Sequence, residues 1–126
     1  MIGKIYSSLF PYFDRMTNKM SYKNRTVLII SDKRNNDYTI LPISKVSIKK
    51  NIDLEFDVQI TPENYPKLNL KNISYVRTHK QTPLHQGCLH KEISDLKESY
   101  PELFLEIISK VEEFNKRVVE KSLENL

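Results

Sequence analysis

Arg25-Thr26-Val27-Leu28-Ile29-Ile30-Ser31, with Leu41-Pro42-Ile43-Ser44 after it, is the stretch that decides the fold. The first run is almost continuously apolar, as a central strand requires. Asn35-Asn36-Asp37 between the runs is a turn signal, because Asn and Asp tolerate positive φ. Residues 38–43 are then the returning strand, and the two form a hairpin. Arg25 opens one buried strand and Ser44 closes the next, so a cation and a hydroxyl can meet at one sheet edge. Such a pair suits a phosphate: the guanidinium neutralises charge and the hydroxyl donates a hydrogen bond.

Working outward, residues 2–6 read as a short first strand. Residues 7–24 hold one apolar cluster (Leu9, Phe10, Tyr12, Phe13) and then a polar, basic stretch with no clear period, as expected of a long loop. Arg15, Lys19 and Lys23 are interleaved there with Phe13 and Tyr22. Cations beside aromatic faces hold single-stranded bases by phosphate contact and stacking. Phe10 and Phe13 could instead cover the end of the barrel. Downstream of the hairpin, Lys45, Lys49 and Lys50 make a basic stretch. Asp53 to Ile60 alternates, with Leu54, Phe56, Val58 and Ile60 on one face, the pattern of a half-exposed strand. Pro62, Asn64 and Pro66 mark a loop, Ile73 to Thr78 is another strand, and residues 79–84 leave the sheet.

The last third reads as helical. A short helix is expected around 91–99. Pro101 suits the first turn of a second, where its missing N–H costs nothing. Leu103, Phe104, Ile107, Ile108, Val111, Phe114 and Val118 recur at helical spacing, as core packing requires. The expected fold is therefore mainly β with a C-terminal helix. About five strands close into a small antiparallel barrel. It occupies roughly residues 1–80 of a single domain spanning 1–126, with a helical region over about 90–122.

The net charge is +4, but it is unevenly spread: residues 1–90 carry +7 and residues 91–126 carry −3. A basic body suggests a polyanionic ligand; ordinary surface lysine is the plain alternative. The single cysteine, Cys88, excludes an internal disulfide. No apolar run reaches membrane-spanning length and no signal segment is evident, so the expectation is a cytoplasmic protein with no membrane partner. His85, Cys88 and His90 offer three ligand types but no second pair, and structural zinc sites take four. No metal or other cofactor is expected.

In this order, Gly3-x-Ile5, a long loop, Arg25-x-Val27-Leu28-Ile29-Ile30-Ser31, Pro42-Ile43-Ser44 and Val76-Arg77-Thr78 resemble the MazF/PemK family of toxin endoribonucleases. The resemblance covers most of residues 1–115. It implies an SH3-like barrel of the MazF/PemK/CcdB type that forms a homodimer. It also implies metal-free cutting of single-stranded messenger RNA, and a cognate antitoxin whose peptide covers the RNA groove. Carried over by position, the catalytic arginine falls on Arg25 and the hydroxyl residue, usually Thr, on Ser44. The Arg-Thr pair near the last strand falls on Arg77-Thr78. The chain departs from the family where Thr26 replaces the usual Pro, Lys4 replaces an acid, and Ser74 lies near where some relatives carry an acidic residue.

Metal-free cleavage needs a base for the 2′-hydroxyl proton, a cation for the phosphorane and an acid for the 5′-oxygen. The products are a 2′,3′-cyclic phosphate and a 5′-OH. Arg25 is the expected stabiliser and Ser44 the expected phosphate donor. Arg77, Thr78 and His79 are further candidates for catalysis or phosphate binding, or for holding the site together. Arg15, Lys19, Lys23 and Lys45 are the candidate RNA contacts. The competing class is a non-catalytic SH3-like module that holds nucleic acid or a peptide. A gyrase poison on the same barrel is a third.

Overall fold

The computed structural model describes residues 1–126, and its centre is the hairpin read from the sequence. Strand β2 (Lys19–Ile29) pairs antiparallel with β3 (Asp37–Ser44), with Thr26 opposite Ile43 and Ile29 opposite Ile40. Asn35 and Asn36 take φ of 53° and 68° at the turn, where their side chains make the left-handed backbone tolerable. Val27, Leu28 and Ile29 are all fully buried because β2 has a core on each face. Leu28 joins the larger cluster with Leu41, Ile43 and Ile107, while Val27 and Ile29 join a smaller one with Tyr38, Ile40 and Leu84. A strand covered on both faces loses the alternation that a wet face imposes.

Seven strands form one antiparallel sheet. Strands β4 (Asp57–Ile60), β5 (Ser74–Arg77), β3, β2, β1 (Lys4–Asp14) and β7 (Leu89–Asp95) follow one another in space. Strand β6 (Thr82–His85) pairs with the opening half of β3. The pairing path ends at β4 and β7. Between these ends, the Asn69 side-chain amide donates to the Ile93 carbonyl at 3.3 Å. The chain is thus mainly β with a C-terminal helix, as expected. Helix α1 (Leu96–Ser99) is capped by the Asp95 carboxylate, and α2 (Pro101–Ser122) starts on Pro101. Leu103, Ile107 and Val111 of α2 cover the larger core; no residue beyond Val111 is buried.

Gly3 ties the first strand to α1. Its N–H donates to the Ile29 carbonyl at 2.8 Å, and its own carbonyl accepts from Leu96 and Lys97. Its φ is +92°, and an added Cβ would lie 2.2 Å from Lys97 Cβ, so no other residue fits without movement.

Four expectations change. Residues 7–24 are not a long loop. β1 and β2 continue past the sheet as a two-stranded arm, paired from Ser8–Arg25 out to Asp14–Lys19. Neither strand has another neighbour over most of that length, because β7 reaches only Ser8 and β3 only Thr26. Next, the strand expected from Asp53 begins only at Asp57. Leu54 is 94% exposed in a turn where Asp53 Oδ1 accepts the Glu55 and Phe56 N–H groups. An Asx-type turn prevails here over the apolar alternation. Third, residues 82–85 return to the sheet as β6. Fourth, residues 89–95 are strand β7 rather than helix, leaving only Leu96–Ser99 helical before Pro101. The sheet therefore extends to residue 95, beyond the expected limit near 80.

Candidate functional site

Arg25 sits one step beyond the last ladder pair between β2 and β3, and the register continues to Ser44 as its opposite number. The two side chains share a face, since directly opposed residues in an antiparallel pair project to the same side. Arg25 Nη1 donates to Ser44 Oγ at 3.2 Å. Neither Asp32 nor Asp37, the acidic neighbours in sequence, bonds the guanidinium. Instead it lies 5.5 Å from the Phe10 ring centroid in a cation–π contact, and its buried Nε has no hydrogen-bond partner. Ser8 holds the backbone beneath it by donating to the Arg25 carbonyl at 3.0 Å.

The pair opens onto a cleft of about 400 Å³ lined by Lys23, Arg25, Ser44, Lys45 and Ser74 among others, with no carboxylate and no imidazole in its lining. Three cations line one small cleft without a counter-charge, a setting whose field favours an anion. Ser74 is buried and donates to the Asn72 carbonyl, so its hydroxyl is already engaged. Lys23 stands two residues from Arg25 on the same strand face, with Nζ 4.8 Å from the Tyr12 ring centroid. Burial and the nearby Arg25 guanidinium hold its ammonium below the usual lysine value.

Other expected residues gather elsewhere. Arg77 Nε donates to Asp57 Oδ1 at 2.8 Å and Nη2 to the Asn51 carbonyl at 3.2 Å; the Asp57 side chain is fully buried. Thr78 is buried and donates to the Phe56 carbonyl. His79 lies between two carboxylates, with Nδ1 3.7 Å from Asp57 and Nε2 3.9 Å from Asp53, and its ring packs near Phe56 and Phe114. All three are joined to the β4–β5 end of the sheet, His79 also meets Phe114 of α2, and none lines the Arg25 cleft. Their contacts lie within this end of the protein.

Arg15 and Lys19 sit at the tip of the arm, six ladder steps and roughly 20 Å from Arg25. Lys23 and Lys45 line the cleft. Reading residues 7–24 as a loop missed Phe10 and Tyr12. They occupy the Arg25–Lys23 face of the arm, and each lies beside one of its cations. No alternation marks them, because Leu9, Pro11 and Phe13 on the other face are apolar as well. His85 Nδ1 accepts the Gly87 N–H at 2.9 Å, and His85, Cys88 and His90 form no three-ligand group.

No family model and no curated protein matches the chain.

Proposed function

We propose that the chain is the toxin of a type II toxin–antitoxin pair, a metal-independent endoribonuclease. It cuts single-stranded RNA at a short sequence by attack of the 2′-hydroxyl, leaving 2′,3′-cyclic phosphate and 5′-OH ends. One observation carries the reading: the Arg25–Ser44 hydrogen bond in a cleft lined by further cations and no carboxylate. A scissile phosphate seated there meets a guanidinium able to neutralise the phosphorane and a hydroxyl able to donate to a non-bridging oxygen. The order of motifs shared with the MazF/PemK family supports the same reading. So does a mainly antiparallel sheet with a terminal helix, which suits an SH3-like barrel. A homodimer, an antitoxin that covers the cleft and a cytoplasmic site of action belong to this proposal.

The arm adds a path for the strand. Phe10 and Tyr12 with Arg25 and Lys23 form a row of aromatic faces and cations running outward from the cleft. Bases stack on such faces while phosphates meet the cations.

A second reading has its own support. With no carboxylate or imidazole in the cleft, the usual general bases are absent, which favours a module that holds nucleic acid without cutting it. The deciding experiment incubates wild type and Arg25→Ala with long single-stranded RNA in EDTA and maps the product ends. The enzyme predicts discrete 5′-OH ends that decline about 10²-fold or more in rate in the variant, with growth arrest on expression lost in parallel. Intact RNA bound in a salt-dependent way is the outcome for the module.

A further inference from the structure

We propose that Lys23 is the general acid of the cleavage reaction, passing a proton from Nζ to the departing 5′-oxygen; the inference rests on the ribonuclease reading of the cleft. A metal-free cut leaves a 5′-alkoxide unless a proton arrives as the P–O5′ bond breaks. The cleft holds no carboxylic acid, imidazole, thiol or phenol to supply it. Arg25 is an unsuitable donor, because a guanidinium keeps its proton at any ordinary pH. Ser44 and Ser74 carry hydroxyls far too weakly acidic to act at neutral pH. The lysines remain.

Placement separates the two lysines. Lys23 precedes Arg25 by two residues, so both side chains leave the same face of β2, about 7 Å apart along the strand. The flexible four-carbon stem of a lysine spans that distance, so Nζ can reach an oxygen of a phosphate held by Arg25. Lys45 also lines the cleft but follows Ser44 beyond the end of β3, so no strand register fixes it on the Arg25 face. Lys23 Nζ rests over the Tyr12 ring, 4.8 Å from its centroid. Desolvation, followed by the nearby Arg25 charge, depresses the Lys23 value and also makes it a stronger acid than a free lysine.

The step balances. O2′ forms the new bond to phosphorus and releases its proton to water. The P–O5′ bond breaks, its electron pair moves to O5′, and O5′ takes the proton from Lys23. The neutral amine then regains a proton from water, so the transesterification consumes none.

The test uses leaving-group chemistry. An oligoribonucleotide carrying one cleavage site, mapped first on ordinary RNA, is compared with the same oligonucleotide bearing sulfur at the bridging 5′ position. A thiolate departs without protonation. Lys23→Met is expected to cut the oxygen substrate about 10²-fold more slowly than wild type, yet the sulfur substrate within about threefold. Lys23→Arg, which keeps the charge but not a transferable proton, is expected to be slow on oxygen and near normal on sulfur. Equal losses on both substrates, or a fully active Lys23→Arg, would overturn the proposal and leave Lys23 as a phosphate contact only. Wild type that cuts neither substrate would remove the ribonuclease reading itself, and the role of Lys23 with it. Circular dichroism of both variants confirms that the fold is kept.

Discussion

Two arginines of the sheet, Arg25 within β2 and Arg77 at the end of β5, have opposite fates, and their partners explain why. Arg25 meets a neutral hydroxyl and an aromatic face, so its charge remains available to a ligand. Arg77 meets Asp57, a carboxylate with no solvent exposure, and is itself only 14% exposed. Removing one partner of a buried pair leaves the other charge uncompensated, which costs about 3–5 kcal/mol. Arg77→Ala should therefore lower the urea midpoint sharply. Arg77→Ala combined with Asp57→Asn should recover part of the loss, because the stranded charge is gone. A double variant no more stable than the single one would mean that the Asn51 contact, and not the ion pair, is what Arg77 contributes. Both arginines were singled out from the sequence. Which one keeps a free charge at the cleft and which is tied within the sheet depended on a carboxylate 20 positions away in the chain.

At the scale of elements, the turn at Asp53–Asp57 joins the sheet to α2. Asp53 accepts two backbone N–H groups within the turn, Glu55 pairs with Arg117, and the Glu55 carbonyl accepts from Lys110 at 2.7 Å. The Phe56 amide, followed by that of Glu55, holds the Asp53 carboxyl below its ordinary value of 3.8. The Arg117 hydrogen bond holds Glu55 below 4.5. A carboxyl with a depressed folded-state value stabilises fully above its unfolded value and loses that contribution as pH falls through the folded one. The turn should thus stay closed above about pH 4.5 and loosen only in stronger acid. An NMR titration should show the Phe56 amide moving with a midpoint below 3.8, and a midpoint at or above that value would discount the Asp53 contact. The depressed values could not be read from the alternation of Leu54, Phe56 and Val58. They come from a turn that breaks that alternation and from a helix 60 residues further on.

Across the whole molecule, the burial is concentrated where α2 meets the sheet, and it stops at Val111. Beyond Val111, α2 touches the body through Phe114, which packs against Phe56 and His79, and through Asn115 and Arg117, while Val118, Val119 and the following Leu123 are exposed. Deleting residues 119–126 should leave stability within about 0.5 kcal/mol of the full chain, since surface changes away from buried contacts lie in that range. A larger loss in urea denaturation would mean that the exposed apolar residues of α2 are covered in solution. The uneven charge also makes sense at this scale. The basic residues of the first two thirds bring Lys23, Arg25 and Lys45 to one cleft, while the acidic surplus lies in the segment dominated by α2.

The chain sequence by itself determined what short-range pattern can determine. Residues 25–31 read as a central strand because Val27 to Ile29, covered on both faces, are apolar at each position. The turn at Asn35-Asn36 followed from residues that tolerate positive φ, and α2 from a helical stripe beginning at a proline. The meeting of Arg25 and Ser44 followed from the same hairpin, because register needs only a turn and two strands. Other features lay outside that reach. The arm of β1 and β2 has little core to bury, so it shows no strong contrast between faces. Strands β6 and β7 are defined by pairing with β3 and β1, far away in sequence. Arg77 and His79 were separated from the cleft by the buried Asp57 and the arrival of α2. Tertiary structure decided these points because each depends on which distant backbone or charge satisfies a local group, and no local pattern encodes that partner.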